Sequence, residues 1–285
     1  YHQEKGKAFI KIIDQRYLPY KIVFESLQTS DEVIKAISDM HLRGAPLIGI
    51  AAAFGIFFAC EEALIGKGRV VKSLEYIEKK ISEIIASRPT AVNTEKSVRY
   101  IADKIQHISS IQEKRDTVLN IALKMIDEDI DTCKKIGEHG LKILRELHRV
   151  NKGRALNILT HCNAGWLATI DYGTATSPLY LAKQEGIDLH IWVDETRPRS
   201  QGSRLTVWEL TENNIANTLI TDNAGGFLMQ NGLVDMVIVG SDRTTIDGDV
   251  TNKIGTYLKA LAARDNNVPF WVALPSTSID WDEKV

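Results

Sequence analysis

From Leu156 onward the chain repeats one pattern: a short run of apolar and β-branched residues, then a stretch of helical character. The runs are Leu156–Thr160, Leu189–Val193, Asn217–Thr221, Asp235–Gly240 and Pro269–Leu274. Between them lie Pro178–Gln184, Arg204–Leu210, Gly226–Gln230 and Ile254–Arg264. Strands that alternate with helices at this spacing make βαβ units, hence a parallel sheet covered on both faces. The sequence therefore predicts an α/β fold with a Rossmann-like parallel sheet over residues 128–285.

Residues 1–127 read differently, as a smaller, mostly helical domain with a few strands. Phe9–Ile13 and Tyr20–Phe24 have strand character, with Pro19 between them. Ser30-Asp31-Glu32 opens a helix whose apolar residues follow at Val33, Ile34, Ile37 and Met40. Pro46 suits the first turn of a second helix. Leu74–Ile85, about Ser97–His107 and about Lys114–Arg149 complete the set, although Gly137 and Gly140 argue against one unbroken helix in the last. No Pro/Gly/Ser linker marks the boundary.

Composition closes several options. Lys plus Arg number 35 against 37 Asp plus Glu, a net charge of -2. That balance argues against nucleic acid as the main partner, because phosphate-tracking surfaces carry a basic excess. A small anion needs only a few local cations. The apolar run Ala45–Cys60 falls short of the roughly 20 residues that span a bilayer and reads as a core helix. No basic-then-apolar leader opens the sequence. Three scattered cysteines, Cys60, Cys133 and Cys162, form no disulfide framework and fit a reducing cytoplasm.

In open parallel sheets, ligands bind beyond the carboxyl ends of the strands. Here those ends carry His161-Cys162-Asn163, Asp194-Glu195-Thr196-Arg197 with Gln201-Gly202, Asp222-Asn223, Ser241-Asp242-Arg243 and Ser276-Thr277-Ser278. Asp222 and Ser276 serve equally well as turn or cap residues. Cys162 does not, since a thiol caps poorly. At a strand-to-helix junction its thiolate gains from a helix N-terminus, which suits proton transfer. Cys60 and Cys133 sit inside helical patterns and read as small buried hydrophobes. His161, its neighbour pointing to the opposite face, reads as a packed, hydrogen-bonded imidazole.

Asp242 is a second acid/base candidate. A partly dry strand end raises a carboxyl's pKa unless a cation opposes it, and Arg243 is the candidate opponent. Asn252-Lys253-Ile254-Gly255 opens the next helix and makes a plausible phosphate seat. Arg43-Gly44-Ala45-Pro46 and Arg88-Pro89-Thr90 offer further guanidinium groups beside helix ends. The sequence has no G-x-x-x-x-G-K-[ST], no G-x-G-x-x-G after a strand, no H-E-x-x-H and no C-x-x-C. What remains is a cofactor-free site of thiol, carboxylate and cations, suited to proton shuffling on a small phosphorylated molecule.

These motifs together resemble the methylthioribose-1-phosphate isomerase family: Arg43-Gly44-Ala45-Pro46 with Ile48-Gly49, Arg88 to Asn93, Thr160 to Gly165, Asp194 to Pro198 with Gln201-Gly202, Gly240 to Arg243, and Asn252 to Thr256. The resemblance runs from about residue 9 to about residue 280. It implies an aldose–ketose isomerase of methionine salvage, cytoplasmic and homodimeric, working without metal or organic cofactor. Cys162 and Asp242 match its catalytic positions. Arg43, Gly44, Ala45, Arg88, Gln201, Asn252 and Lys253 match its substrate-binding positions. The family is similar in fold to ribose-1,5-bisphosphate isomerase and to the regulatory subunits of the initiation-factor exchange factor. A related pentose phosphate as substrate and a non-catalytic regulatory role are therefore the alternatives. The sequence departs from the family at Trp166, where a small residue is expected, and at Thr244–Asp247.

Overall fold

A computed structural model describes residues 1–4, 6–66, 70–88, 92–151 and 154–281. Pro89, Thr90 and Ala91 of the Arg88 motif lie outside the described residues. The chain divides into two compact units, Tyr1–Asp129 and Ile130–Val285.

The first unit holds β1 (His2–Glu4), β2 (Lys7–Ile13) and β3 (Phe24–Leu27), followed by α1 (Ser30–Ser38), α2 (Ala45–Ile65), α3 (Val70–Ser87) and α4 (Val92–Ile105). The three strands form an antiparallel sheet. The residues from Tyr20 to Val23 are not strand, contrary to their β-type composition. The N–H groups of Tyr20 and Lys21 both donate to the carbonyl of Tyr17, closing a turn, and Tyr20 is 87% exposed. Pairing begins only at Phe24, opposite Ile13. Thr29 caps α1, its hydroxyl accepting from the Glu32 N–H while the Glu32 carboxylate accepts from the Thr29 N–H. α2 is apolar on all sides, and α1, α3 and α4 pack around it. By length and composition α2 could cross a membrane; here most of it is buried in protein.

A single helix, α5 (Ile111–Val150), carries the chain into the second unit. Gly137 and Gly140 do not break it. They let the start of α6 (Ser177–Gln184) approach closely: a Cβ on Gly137 would stand 2.9 Å from Leu181 Cδ1, and one on Gly140 2.8 Å from Pro178 Cβ.

The second unit continues with β4 (Leu156–Thr160), α6, β5 (Leu189–Asp194), α7 (Val207–Glu212), β6 (Ala216–Ile220), α8 (Ala224–Gln230), β7 (Met236–Val239), β8 (Arg243–Thr245), β9 (Val250–Thr251), α9 (Thr256–Asp265), β10 (Phe270–Val272) and β11 (Ile279–Asp280). Five strands form a parallel sheet in the order β10-β7-β4-β5-β6. Alternate residues serve opposite faces. Leu156, Ile158, Met236 and Ile238 pack with Leu141, Leu144 and Leu179 of α5 and α6. Leu159, Val237 and Val239 pack with Leu228, Met229 and Ala263 of α8 and α9. Both faces are thus covered, as the alternation predicts. The sequence reading did not anticipate the small second sheet, in which β8 lies between β9 and β11.

Candidate active site

The strand order fixes where a ligand would sit. From β4 the chain winds outward through β5 to β6; it then returns to the other side of β4 for β7 and β10. The direction reverses between β4 and β7, and the crevice at such a switch point is where open α/β sheets bind ligands. Cys162 follows β4, and Asp242 follows β7. Their loops touch: a Cβ on Gly240 would stand 2.9 Å from Ala164 Cβ, so only glycine fits there. Gln201 follows β5, on the other side of β4.

Cys162 is half-buried, with its backbone in the left-handed region at φ 68. Two threonines hold it. Its N–H donates to Thr196 Oγ1 at 2.8 Å, and its carbonyl accepts from Thr206 Oγ1 at 2.6 Å. Thr196 is itself left-handed at φ 64, uncommon for a β-branched residue. It is pinned by its N–H to Asp222 Oδ1 at 2.7 Å and by its hydroxyl to the Asp194 carbonyl at 3.1 Å. Two strained residues joined by a hydrogen bond mark a rim whose shape the surroundings impose, at a cost of about 1–3 kcal/mol each. The helix expected directly after Cys162 is only a single 3-10 turn, Trp166–Ala168. No α-helix dipole of its own strand-to-helix junction therefore acts on this thiol. Cys60 is deeply buried, its thiol pushed up to about 12 by desolvation. Cys133 is buried in α5.

His161 is fully buried. Its Nδ1 lies 2.7 Å from Asp194 Oδ2, and its Nε2 lies 2.7 Å from the carbonyl of Ile254. A carbonyl only accepts, so Nε2 carries a proton. The imidazole thus ties the ends of β4 and β5 to the segment before α9. Gly255, left-handed at φ 104, leaves room for it; a Cβ there would stand 2.8 Å from the ring. Ligand atoms of His161, Asp194 and Asp222 lie within 4.8 Å of one another, close enough together to share a metal ion. Lys259 already fills that space: its ammonium lies 2.9 Å from Asp194 Oδ2 and donates to the Asp222 carbonyl.

Asn252 and Lys253 precede α9 rather than forming its first turn. Thr256 Oγ1 accepts from Asn252 Nδ2 at 3.1 Å and donates to the Lys253 carbonyl at 2.7 Å. The Asp242 N–H donates to the Thr251 carbonyl at 2.9 Å, which sets this segment beside the β7 end. Gln201 is buried, and its Oε1 makes no hydrogen bond. It leads into a π-helical turn, Gly202–Thr206, a feature common at functional sites.

One expectation for the carboxylates is corrected. Asp242 is exposed rather than set in a partly dry strand end, because it stands ahead of β8 at the start of a surface hairpin. The Arg243 guanidinium pairs with Asp280 on β11. Asp222 takes its cap role, accepting from the N–H groups of Thr196 and Arg197.

Arg43, Gly44, Ala45 and Arg88 belong to the first unit. Gly44, at φ 96, caps α2 with no side-chain hydrogen bond, and Ala45 begins the helix. Arg43 and Arg88 are half-buried. Arg43 stands ahead of α2 and Arg88 follows α3, each at a helix end. The sequence reading missed Glu209 and Lys259. Both are charged residues in apolar helical patterns, and that mismatch is the one signal the sequence gives of them.

Residues 41–285 match the family model described as Initiation factor 2 subunit family. A methylthioribose-1-phosphate isomerase from Desulfatibacillum aliphaticivorans is 50% identical over 281 residues, 99% of this chain and 75% of that protein. The crystal structure of 5-methylthioribose 1-phosphate isomerase from Pyrococcus horikoshii superposes with a TM-score of 0.86 at 37% identity, covering 97% of this chain and 75% of that one. The translation initiation factor eIF-2B, subunit delta, from A. fulgidus gives a TM-score of 0.82 at 36% identity, covering 99% and 79%.

Proposed function

The chain belongs to the Initiation factor 2 subunit family, among its methylthioribose-1-phosphate isomerases, and from that membership we infer a cytoplasmic enzyme of methionine salvage. It is an aldose–ketose isomerase, converting 5-methylthioribose 1-phosphate to 5-methylthioribulose 1-phosphate. We assign the chemistry to Cys162 and Asp242. The observation that carries this assignment is their placement after β4 and β7, the strands that flank the sheet's switch point.

Phosphate on C1 blocks the free aldehyde that aldose–ketose isomerisation ordinarily uses, so the ring must open under acid assistance. Asp242, protonated, donates to the ring oxygen. A pentose lying over Asp242 replaces its water, and desolvation raises a carboxyl's affinity for the proton. Cys162, as thiolate, removes the C2 proton; the enol phosphate is then reprotonated at C1, leaving the ketone at C2. Lys253 and Asn252 hold the phosphate, and the open Oε1 of Gln201 accepts from a sugar hydroxyl; the family resemblance assigns Arg43, Gly44, Ala45 and Arg88 to substrate binding as well. Running the reaction in D2O tests the route. Solvent deuterium at C1 of the product is the expected result; its absence would count for a direct hydride shift from C2 to C1. Cys162→Ser and Asp242→Asn should each lower kcat by about 10²–10⁴, the range for a positioned acid or base. Near-normal turnover in either variant removes that residue from the mechanism.

Phe227 of α8 and Tyr257 and Leu258 of α9 are exposed apolar residues, and a homodimer that covers them is the assembly we propose.

A further inference from the structure

Beneath the Cys162 loop lies a carboxylate that the proposed chemistry does not use. Glu209 of α7 is completely buried. Its Oε1 accepts from Asn163 Nδ2 at 2.9 Å and from the Leu167 N–H at 3.0 Å, and its Oε2 accepts from the Tyr180 hydroxyl at 3.1 Å. Asn163 Nδ2 also reaches Thr206 Oγ1 at 3.2 Å, the hydroxyl that donates to the Cys162 carbonyl. An unbroken hydrogen-bonded path thus runs from Glu209 to the backbone of Cys162. Gly165 closes over the carboxylate so tightly that a Cβ there would collide with it.

We propose that Glu209 is the positioning residue of Cys162: its carboxylate holds Asn163 to Leu167 against α7 and so keeps Cys162 in its left-handed turn. This inference rests on the reading of Cys162 as the reacting thiol. The groups facing Glu209 are Tyr180 from α6, the backbone and Asn163 of the loop after β4, and Cys162 through Thr206; Asp171 acts on Tyr180. The largest influences on it are burial and the hydrogen bonds from Asn163, Leu167, Tyr180 and Trp166. Burial pushes the Glu209 carboxyl up to about 7 against the pull of its hydrogen bonds. Its charge is therefore costly in the folded state. A raised acid stabilises the fold below its unfolded pKa and loses that contribution as pH rises through its folded pKa, here about 7. The carboxylate that orders the loop is present where it costs the fold most.

Glu209→Gln keeps the shape and removes the charge. At pH 8 the variant should lose about tenfold to a hundredfold in kcat, the scale of a misplaced reacting group, with KM changed by less than about twofold. Its Tm at pH 8 should equal or exceed that of the parent protein, because a buried charge is gone. In the parent protein the rate of Cys162 alkylation by iodoacetamide should show an inflection near pH 7 that the variant lacks. A variant with parental kcat, or one whose Tm at pH 8 falls along with its activity, would overturn the proposal. So would an alkylation profile unchanged by the substitution. Cys162→Ser, assayed beside it, separates the two claims. If that variant turns over normally, the assignment of Cys162 fails, while the alkylation and Tm measurements still judge Glu209.

Discussion

Cys162 differs from the other two thiols in access and in backbone strain. Cys60 and Cys133 are buried in helices, and the Cys60 thiol is pushed up to about 12. Iodoacetamide at pH 8 should therefore add a single carbamidomethyl group to the native protein, at Cys162, and abolish turnover; peptide mass spectrometry that finds Cys60 or Cys133 modified first would contradict this account. Gly165 is subject to a sharper test. Alanine there drives a methyl group into the Glu209 carboxylate, 2.7 Å from Oε1 and nearer still to Oε2. Overpacking of this kind costs about 1–3 kcal/mol. Urea unfolding of Gly165→Ala should show that loss, with kcat reduced because the Cys162 loop rides on the same contact. The position of Cys162 at the end of β4 was legible in the sequence, from the apolar run of Leu156–Thr160 that precedes it. Glu209 was not. A single acid in Val207-Trp208-Glu209-Leu210 reads as a helix's wet face, and its burial follows from the gap that Gly165 leaves, a contact spanning 163 to 209 that no local pattern encodes.

At the scale of elements, the parallel sheet was the most legible part of the chain. Its inner strands β4, β5 and β7 are largely buried and mostly apolar, whereas β6 and β10 at the sheet's edges are more exposed, and turn and cap residues follow the strand ends. The failures have a common cause in tertiary contact. Tyr20–Val23 has strand composition but no partner strand, so it turns. Gly137 and Gly140 look like helix breakers, yet α5 runs through them because α6 packs where their side chains would be. Alanine at both positions sets two effects against each other. Helix propensity favours alanine by about 0.8–1.0 kcal/mol per site, whereas forcing two methyl groups into Ser177, Pro178 and Leu181 costs about 1–3 kcal/mol each. Packing wins. The double variant should unfold at a lower temperature than the parent, read by circular dichroism at 222 nm. A higher Tm would mean that α6 can move away from α5 without cost.

The whole molecule carries almost no net charge, and its most unusual surface is apolar. Phe227, Tyr257 and Leu258 are 65%, 73% and 64% exposed on α8 and α9, and Ile254, just ahead of α9, is 76% exposed. Helices α8 and α9 pack together, and exposed apolar side chains on both are candidates for cover by a second copy. A net charge of -2 gives little electrostatic repulsion to keep copies apart. The same helices frame the site. Lys259 of α9 reaches Asp194 and Asp222, and the segment bearing Asn252 and Lys253 leads directly into α9. Covering α9 with a second copy would therefore also steady the phosphate-binding segment. Light scattering should give about twice the 31.9 kDa chain mass for the parent protein. Leu258→Asp replaces an exposed apolar side chain of α9 by a charge and should give the monomer mass. Its KM should rise more than its kcat falls, since the role proposed for the loosened segment is to bind phosphate rather than to move protons. A parent protein that stays monomeric at tens of micromolar would remove the dimer from the account. A monomeric variant with unchanged KM would show that α9 needs no neighbour to hold Lys253 in place.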